Sequence, residues 1–167
     1  MATDAASTTQ APLRFSEAGE AEFQKTLGKY PNKRAALLPV LYIAQREFSY
    51  LSNEAMEYVA KRLELPPSKV LQVATFYTMY FKRQHGRHHI EVCTSVPCCM
   101  MGGYGVMRHL KERLGVEPGE VTPDGKFSYA EAECLAACGH APLLQVNSKY
   151  HENLTPEAID ALLDELP

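Results

Sequence analysis

Cys93-Thr-Ser-Val-Pro-Cys98 and Cys134-Leu-Ala-Ala-Cys138 are the stretches around which this sequence is arranged, and 35 residues lie between them. Two pairs of thiols arriving on two loops suit a soft, four-coordinate centre, which in proteins is zinc or an iron–sulfur cluster. Zinc knuckles commonly leave two residues between paired cysteines, whereas the gaps here are four and three. A 2Fe-2S cluster has two irons, each taking two thiolates, so it suits separated pairs with wider gaps. On spacing alone, zinc and redox or structural thiols stay open as alternatives. A fifth cysteine, Cys99, directly follows Cys98. An odd count with two neighbours is awkward for a disulfide framework.

Working outward, residues 89–94 read as a strand with Ile90 and Val92 on one face, delivering Cys93. Gly102, Gly103 and Gly105 loosen the following loop, and Val106, Leu110 and Leu114 mark a helix closed by Gly115. Pro123-Asp-Gly125 is a turn, residues 127–133 form a strand that delivers Cys134, and residues 143–146 form a third. Thr155-Pro-Glu157 opens a final helix that buries Ile159, Leu162, Leu163 and Leu166. This half is a small α/β unit with its cysteine loops at strand ends.

Upstream of Gly86 the pattern is helical. Ser16 caps a helix to about residue 27, with Glu17 and Glu20 in its first turn. Asn32 is expected to cap a second, largely buried helix carrying Leu37, Leu38, Leu41, Ile43, Ala44 and Phe48, with Pro39 removing one hydrogen bond and bending it. Ser52 caps a third, with the stripe Met56, Val59, Ala60 and Leu63. Pro66 and Pro67 open a fourth, whose expected buried contacts are Val70, Val73, Ala74, Phe76 and Tyr77, with Tyr80 and Phe81 read as core. The class is therefore α+β: a flexible tail over 1–14, a helical bundle over 15–85 and an α/β domain over 86–167.

A hydrophobic content of 46% and a charged content of 22% argue against disorder, and a net charge of −3 gives no electrostatic reason to bind nucleic acid. The most apolar run, residues 35–44, is short and interrupted by Pro39, so no direct membrane insertion is expected. The Ala-, Thr- and Ser-rich start lacks a basic region and an apolar core, which argues against secretion and for a cytoplasmic setting. His85, His88 and His89 with Lys82, Arg83 and Arg87 read as a basic hinge, either a solvated linker or a docking surface.

The two cysteine motifs, preceded by Val73-Ala-Thr-Phe-Tyr77, resemble the 24 kDa subunit family of NADH:quinone oxidoreductase, respiratory complex I, which are thioredoxin-like 2Fe-2S ferredoxins. Further matching stretches are Thr122-Pro-Asp-Gly-Lys126, Glu133-Cys-Leu-Ala-Ala-Cys138, Ala141-Pro142, Gln145-Val-Asn147 and Asn153-Leu-Thr155, so the likeness runs from about residue 20 to 166. It implies a thioredoxin-like second domain and a single 2Fe-2S cluster on Cys93, Cys98, Cys134 and Cys138. It also implies a partner flavoprotein subunit that binds FMN and oxidises NADH, beside other peripheral-arm subunits at the inner membrane. The chain would then be an oxidoreductase subunit and a low-potential one-electron carrier in electron transport. No Gly-x-Gly-x-x-Gly run follows a strand, and Gly102-Gly-x-Gly105 is a partial echo, so no NADH site of its own is expected.

The same resemblance admits a diaphorase subunit of a soluble NAD-linked hydrogenase or formate dehydrogenase, and a zinc-stabilised interaction module is the alternative of another class. Cys99 departs from the bulky apolar residue common in the family, as Met101 does from Arg; Cys99 reads as a small buried hydrophobe or a spare ligand for Cys98. His140 reads as a packing or solvent-facing residue, or as a hydrogen-bond partner of sulfur. Thioredoxin-like folds often place a cis proline where Pro142 stands. Backbone amides of 100–105 and 135–140 are the expected donors to sulfur, with glycines at 102, 103, 105 and 139 allowing close approach.

Overall fold

The computed structural model describes residues 13–167; all but the last two residues of the expected tail lie outside the described residues. The chain divides into two compact units, one ending at Arg83 and one starting at Gln84.

The first unit holds α1 (Glu17–Leu27), α2 (Leu37–Phe48), α3 (Asn53–Leu63) and α4 (Pro67–Phe76). Ser16 Oγ accepts from the Gly19 amide at 3.0 Å and Ser52 Oγ from Ala55 at 3.2 Å, so both expected hydroxyl caps form. Asn32 caps differently: its side chain accepts from Ala35 N at 2.9 Å, closing a turn ahead of α2 rather than α2 itself. Pro39 therefore falls in the first turn of α2, where the amide has no intrahelical acceptor, and the expected loss of a hydrogen bond does not occur.

Leu41, Ala44, Val59, Ala60, Leu63, Val70 and Tyr80 close a continuous core, and all four stripe residues of α3 are buried in it. Tyr80 lies beyond the end of α4, and its hydroxyl donates to Leu38 O at 2.9 Å, which satisfies the one polar group it takes inside. Phe76, expected to be buried, is 77% exposed. Val70 and Ala74 form the inward face of α4, and Phe76 at its end points away from it. Arg62 ties α1 to α3: its guanidinium bonds both oxygens of Glu20, at 2.6 and 2.7 Å, and lies 4.2 Å from the ring centre of Phe23.

The second unit holds β1 (His88–Cys93), α5 (Val96–Met100), α6 (Gly103–Leu114), β2 (Phe127–Ala132), β3 (Leu144–Val146), β4 (Lys149–His151) and α7 (Pro156–Glu165). The sheet order is β2-β1-β3-β4, with β1 parallel to β2 and the other pairs antiparallel. Ile90 and Val92 sit opposite Val146 and Leu144 and share a core with Val106, Leu110, Tyr129, Ile159 and Leu163 from β2, α6 and α7. Thr155 Oγ1 caps α7 through Ala158 N at 3.2 Å, and Gly115, at φ 69°, closes α6 in the left-handed region that a Cβ would strain. The short α5 and β4 were not foreseen.

The histidines correct the hinge reading, because His88 and His89 belong to β1. His88 is buried with Nε2 2.9 Å from Pro167 O, and His89 Nδ1 lies 2.8 Å from Ser128 Oγ. Burial, then the neighbouring His85, push the His89 imidazole down to about 4. An unfolded His89 binds a proton near pH 6.5 and the folded one does not, so stability falls as pH drops from about 6.5 to about 4, by up to about 3 kcal/mol. Burial raises the Glu91 carboxyl, which titrates in the opposite sense. Burial also lowers the His151 imidazole, and hydrogen bonds lower the Glu20 and Glu47 carboxyls, all in the same sense as His89. In urea unfolding across this window a His89→Gln variant is expected to show a shallower downward slope than the wild type, and an equal slope would remove His89 as a contributor.

Candidate functional site

Parallel pairing aligns Cys93 with Ala132, so β1 and β2 end side by side and both cysteine loops leave from one end of the sheet. Thr94 N donates to Ala132 O at 2.9 Å, and Thr94 Oγ1 donates to Glu131 at 2.6 Å, carrying the pairing one residue further. From there Cys98 is delivered by α5, and Cys134 and Cys138 by the loop that closes in a 3-10 turn, Cys138–His140.

The four thiols differ in setting. Cys93 and Cys98 are buried, and Cys134 and Cys138 are exposed. Cys93 and Cys98 influence one another's ionisation, and Leu135 N donates to Cys93 Sγ at 3.4 Å, which brings the second loop against the first pair. Ala136 N donates to Cys134 Sγ at 3.3 Å from a left-handed backbone, φ 58°, a conformation an alanine adopts only when its surroundings demand it.

Burial pushes the Cys93 thiol up, but hydrogen bonds from the Ser95 hydroxyl and amide and from Leu135 N outweigh it and hold the thiol below the usual range. Burial raises the Cys98 thiol, and the adjacent Cys93 adds to that. One member of the pair is thus favoured as thiolate, the form that binds metal.

This donor set fits a 2Fe-2S cluster. Such a cluster needs two thiolates per iron from two pairs, and the strand ends supply one pair from each loop. Four-thiolate zinc sites commonly leave two residues between paired cysteines, against four and three here.

The supports differ from those expected. Amides 101 and 102 donate to the carbonyls of Pro97 and Cys99 and close the end of α5, amide 105 donates to Gly102 O at the start of α6, and of the expected donors those of 135 and 136 reach sulfur. A Cβ at 102, 105 or 139 would meet nothing within 4 Å, whereas one at Gly103 would lie 2.9 Å from Cys93 O and 3.0 Å from Cys98 O. Gly103 therefore sets how closely two of the proposed ligand residues approach, through their carbonyls rather than through sulfur. Cys99 is half-buried and donates its thiol to Thr94 O at 2.9 Å, away from the other sulfurs. His140 is exposed and faces Glu152, with Nδ1 3.6 Å from the carboxylate. The Ala141–Pro142 peptide is cis.

The roles of Ser95 and Leu143 were missed by sequence reasoning, whereas Gly103 was singled out for a close approach that it makes to carbonyls instead of sulfur. One signal was present: Ser95-Val-Pro97 puts a capping residue before a proline that has no amide to cap.

A family model described as thioredoxin-like [2Fe-2S] ferredoxin matches residues 23–167. An NADH-quinone oxidoreductase subunit of Rickettsia bellii is 48% identical over 141 residues, covering 83% of this chain and 84% of that one. The corresponding NADH-quinone oxidoreductase subunit of Rhizobium meliloti is 40% identical over 143 residues, 86% of this chain and 85% of that one. A crystal structure of an NAD+-reducing [NiFe]-hydrogenase superposes with a TM-score of 0.68 at 25% identity, covering 78% of this chain and 22% of that chain.

A methyl group at Gly103 would collide with backbone, which costs about 1–3 kcal/mol and forces the two carbonyls apart. Gly103→Ala is expected to lower the urea midpoint and to weaken capture of phenylarsine oxide, a reagent that needs two neighbouring thiols, in the metal-free protein. Unchanged capture would show that the glycine does not govern the pair.

Proposed function

Because the chain belongs to the thioredoxin-like [2Fe-2S] ferredoxin family, we propose that it is the electron-carrying subunit of an NADH-quinone oxidoreductase, exchanging electrons with the FMN of a partner flavoprotein. The observation that carries this reading is the release of both cysteine loops at one end of a parallel strand pair, with one loop's amide already donating to the other loop's sulfur. Cys93 and Cys98 hold one side of the centre, and Cys134 and Cys138 the other. When bound, a 2Fe-2S cluster supplies one-electron chemistry, at a potential set by charge, hydrogen bonds to sulfur and solvent exposure.

The chain's own residues do the rest. Ile90, Val92 and Leu144 fix the sheet that aims the loops, and Leu143 N and Leu135 N donate to the buried pair. Val96, Met100, Met101 and Tyr104 lie 74%, 82%, 60% and 53% exposed on α5 and the turn into α6. Apolar side chains displayed beside a redox centre mark a surface for a partner protein, and we assign it to the flavoprotein. Among the described residues no helix is long and apolar enough to cross a membrane, so the chain would join a membrane complex through other subunits. The likeness to the hydrogenase supports a second reading, the equivalent subunit of a soluble NAD-linked hydrogenase.

Iron and sulfide analysis with EPR of the reduced full chain tests the centre. Two irons per chain are expected, with the signal lost or altered in Cys134→Ser; an unchanged spectrum would refute the ligand assignment. Affinity capture of the tagged chain from its own cells separates the two readings, since an accompanying hydrogenase would displace the first. Met100→Glu is expected to weaken flavoprotein capture at least tenfold while leaving iron content unchanged.

A further inference from the structure

We propose that the Ser95 hydroxyl sets the reduction potential of the centre, by donating to the sulfurs of Cys93 and Cys98 in place of capping a helix. This role rests on the assignment of those two cysteines as cluster ligands.

Among the described residues four helices begin at a Ser or Thr. Ser16, Ser52 and Thr155 each accept from the amide three residues on, at 3.0, 3.2 and 3.2 Å. Ser95 stands at the same position of α5 with extended ψ (158°), yet its side chain makes no capping bond. Pro97 at the second helical position removes one amide a cap can use, but the Cys98 amide three residues on is still there and the hydroxyl does not take it. The Ser95 carbonyl still accepts from Cys99 N at 2.8 Å, so the helix start is intact without the hydroxyl.

The hydroxyl lies 3.4 Å from Cys93 Sγ, and Ser95 pulls both the Cys93 and the Cys98 thiol toward the charged form. A thiolate has no proton to give, so toward ligand sulfur the hydroxyl can only donate. Reduction adds one electron and one unit of negative charge to a centre that carries no proton. A donor aimed at its sulfurs is worth more in the reduced state than in the oxidised one. The buried setting of both sulfurs enlarges that difference, since water is not there to substitute.

The test is an EPR-monitored redox titration of the full chain carrying its cluster, as wild type and as Ser95→Ala, Ser95→Val and Ser95→Thr. Val and Thr differ in whether the branch ends in methyl or hydroxyl, which separates the hydrogen bond from bulk. Ser95→Ala and Ser95→Val are expected to favour the oxidised form about tenfold, a midpoint 59 mV lower for one electron, and Ser95→Thr to stay with wild type. A common midpoint in all four proteins overturns the proposal, even if their unfolding midpoints differ, as a capping role alone would have it. Loss of the cluster in either hydroxyl-free variant while Thr retains it also overturns it, because the residue would then serve assembly. A Cys98→Ala control separates the two levels: an unchanged EPR spectrum there would mean that the ligand assignment, not the role of Ser95, has failed.

Discussion

The parallel pairing of β1 with β2 is the constraint on which the site depends. Antiparallel neighbours would send the loop after Cys93 and the loop after Ala132 to opposite ends of the sheet; parallel ones release both at the same end. The register is held by apolar side chains and not by the thiols. Ile90, Val92 and Tyr129 are buried on the core side, and a slip of one residue would turn that set toward solvent. Parallel strands also need a long crossover, and here the crossover is put to use: its first turn is α5, which carries Cys98, and its second helix, α6, starts at the glycine that packs on the Cys93 and Cys98 carbonyls. The loop entering β1 is fixed as tightly, since a Cβ at Gly86 would lie 2.3 Å from the Phe127 carbonyl carbon.

What could be read from the sequence was what local chemistry decides. Ser16, Ser52 and Thr155 cap helices because a short hydroxyl side chain reaches amides three residues away whatever the rest of the chain does. The stripe Met56, Val59, Ala60, Leu63 was legible for a similar reason, helical periodicity. Asn32 misled because the same local reach can close a turn, and only the backbone between residues 33 and 36 decides which. Phe76 misled because an apolar residue at the end of a helix has no periodic neighbour to fix its face.

The site divides along the same line. Four cysteines at gaps of four and three are a pattern visible in one dimension, and the family model agrees with the cluster type that pattern suggested. The residues around them are not visible in that way. Gly103 matters through an approach to two carbonyls, one of them ten positions upstream, while its neighbours Gly102 and Gly105 look the same in sequence and touch nothing there. Cys99 could be a ligand or filler by composition; a bond to Thr94 O gives it a third role, closing the loop that presents Cys98.

The proposed thiolate pairs carry like charge in unlike surroundings, and the chain compensates them by different means. Cys93 and Cys98 are shielded from water, which disfavours charge, and they receive the Ser95 hydroxyl and amide and the amides of Leu135 and Leu143. Cys134 and Cys138 are open to solvent, which stabilises charge directly, and Cys134 receives the amide of a strained Ala136. Fixed donors are pre-oriented and need not reorganise when charge arrives, whereas water must. A centre clasped on its buried side by fixed dipoles and open on the other changes charge with little rearrangement of protein, while its accessible edge faces the surface from which electrons can come. Exposed methionines and a tyrosine on α5, the turn after it and α6 would exclude water from that surface once a partner is seated, so docking itself would shift the balance between solvent and dipoles. In that arrangement the potential of the isolated chain and of the assembled one need not agree, and the difference would come from the exposed pair, because the buried pair already has its donors.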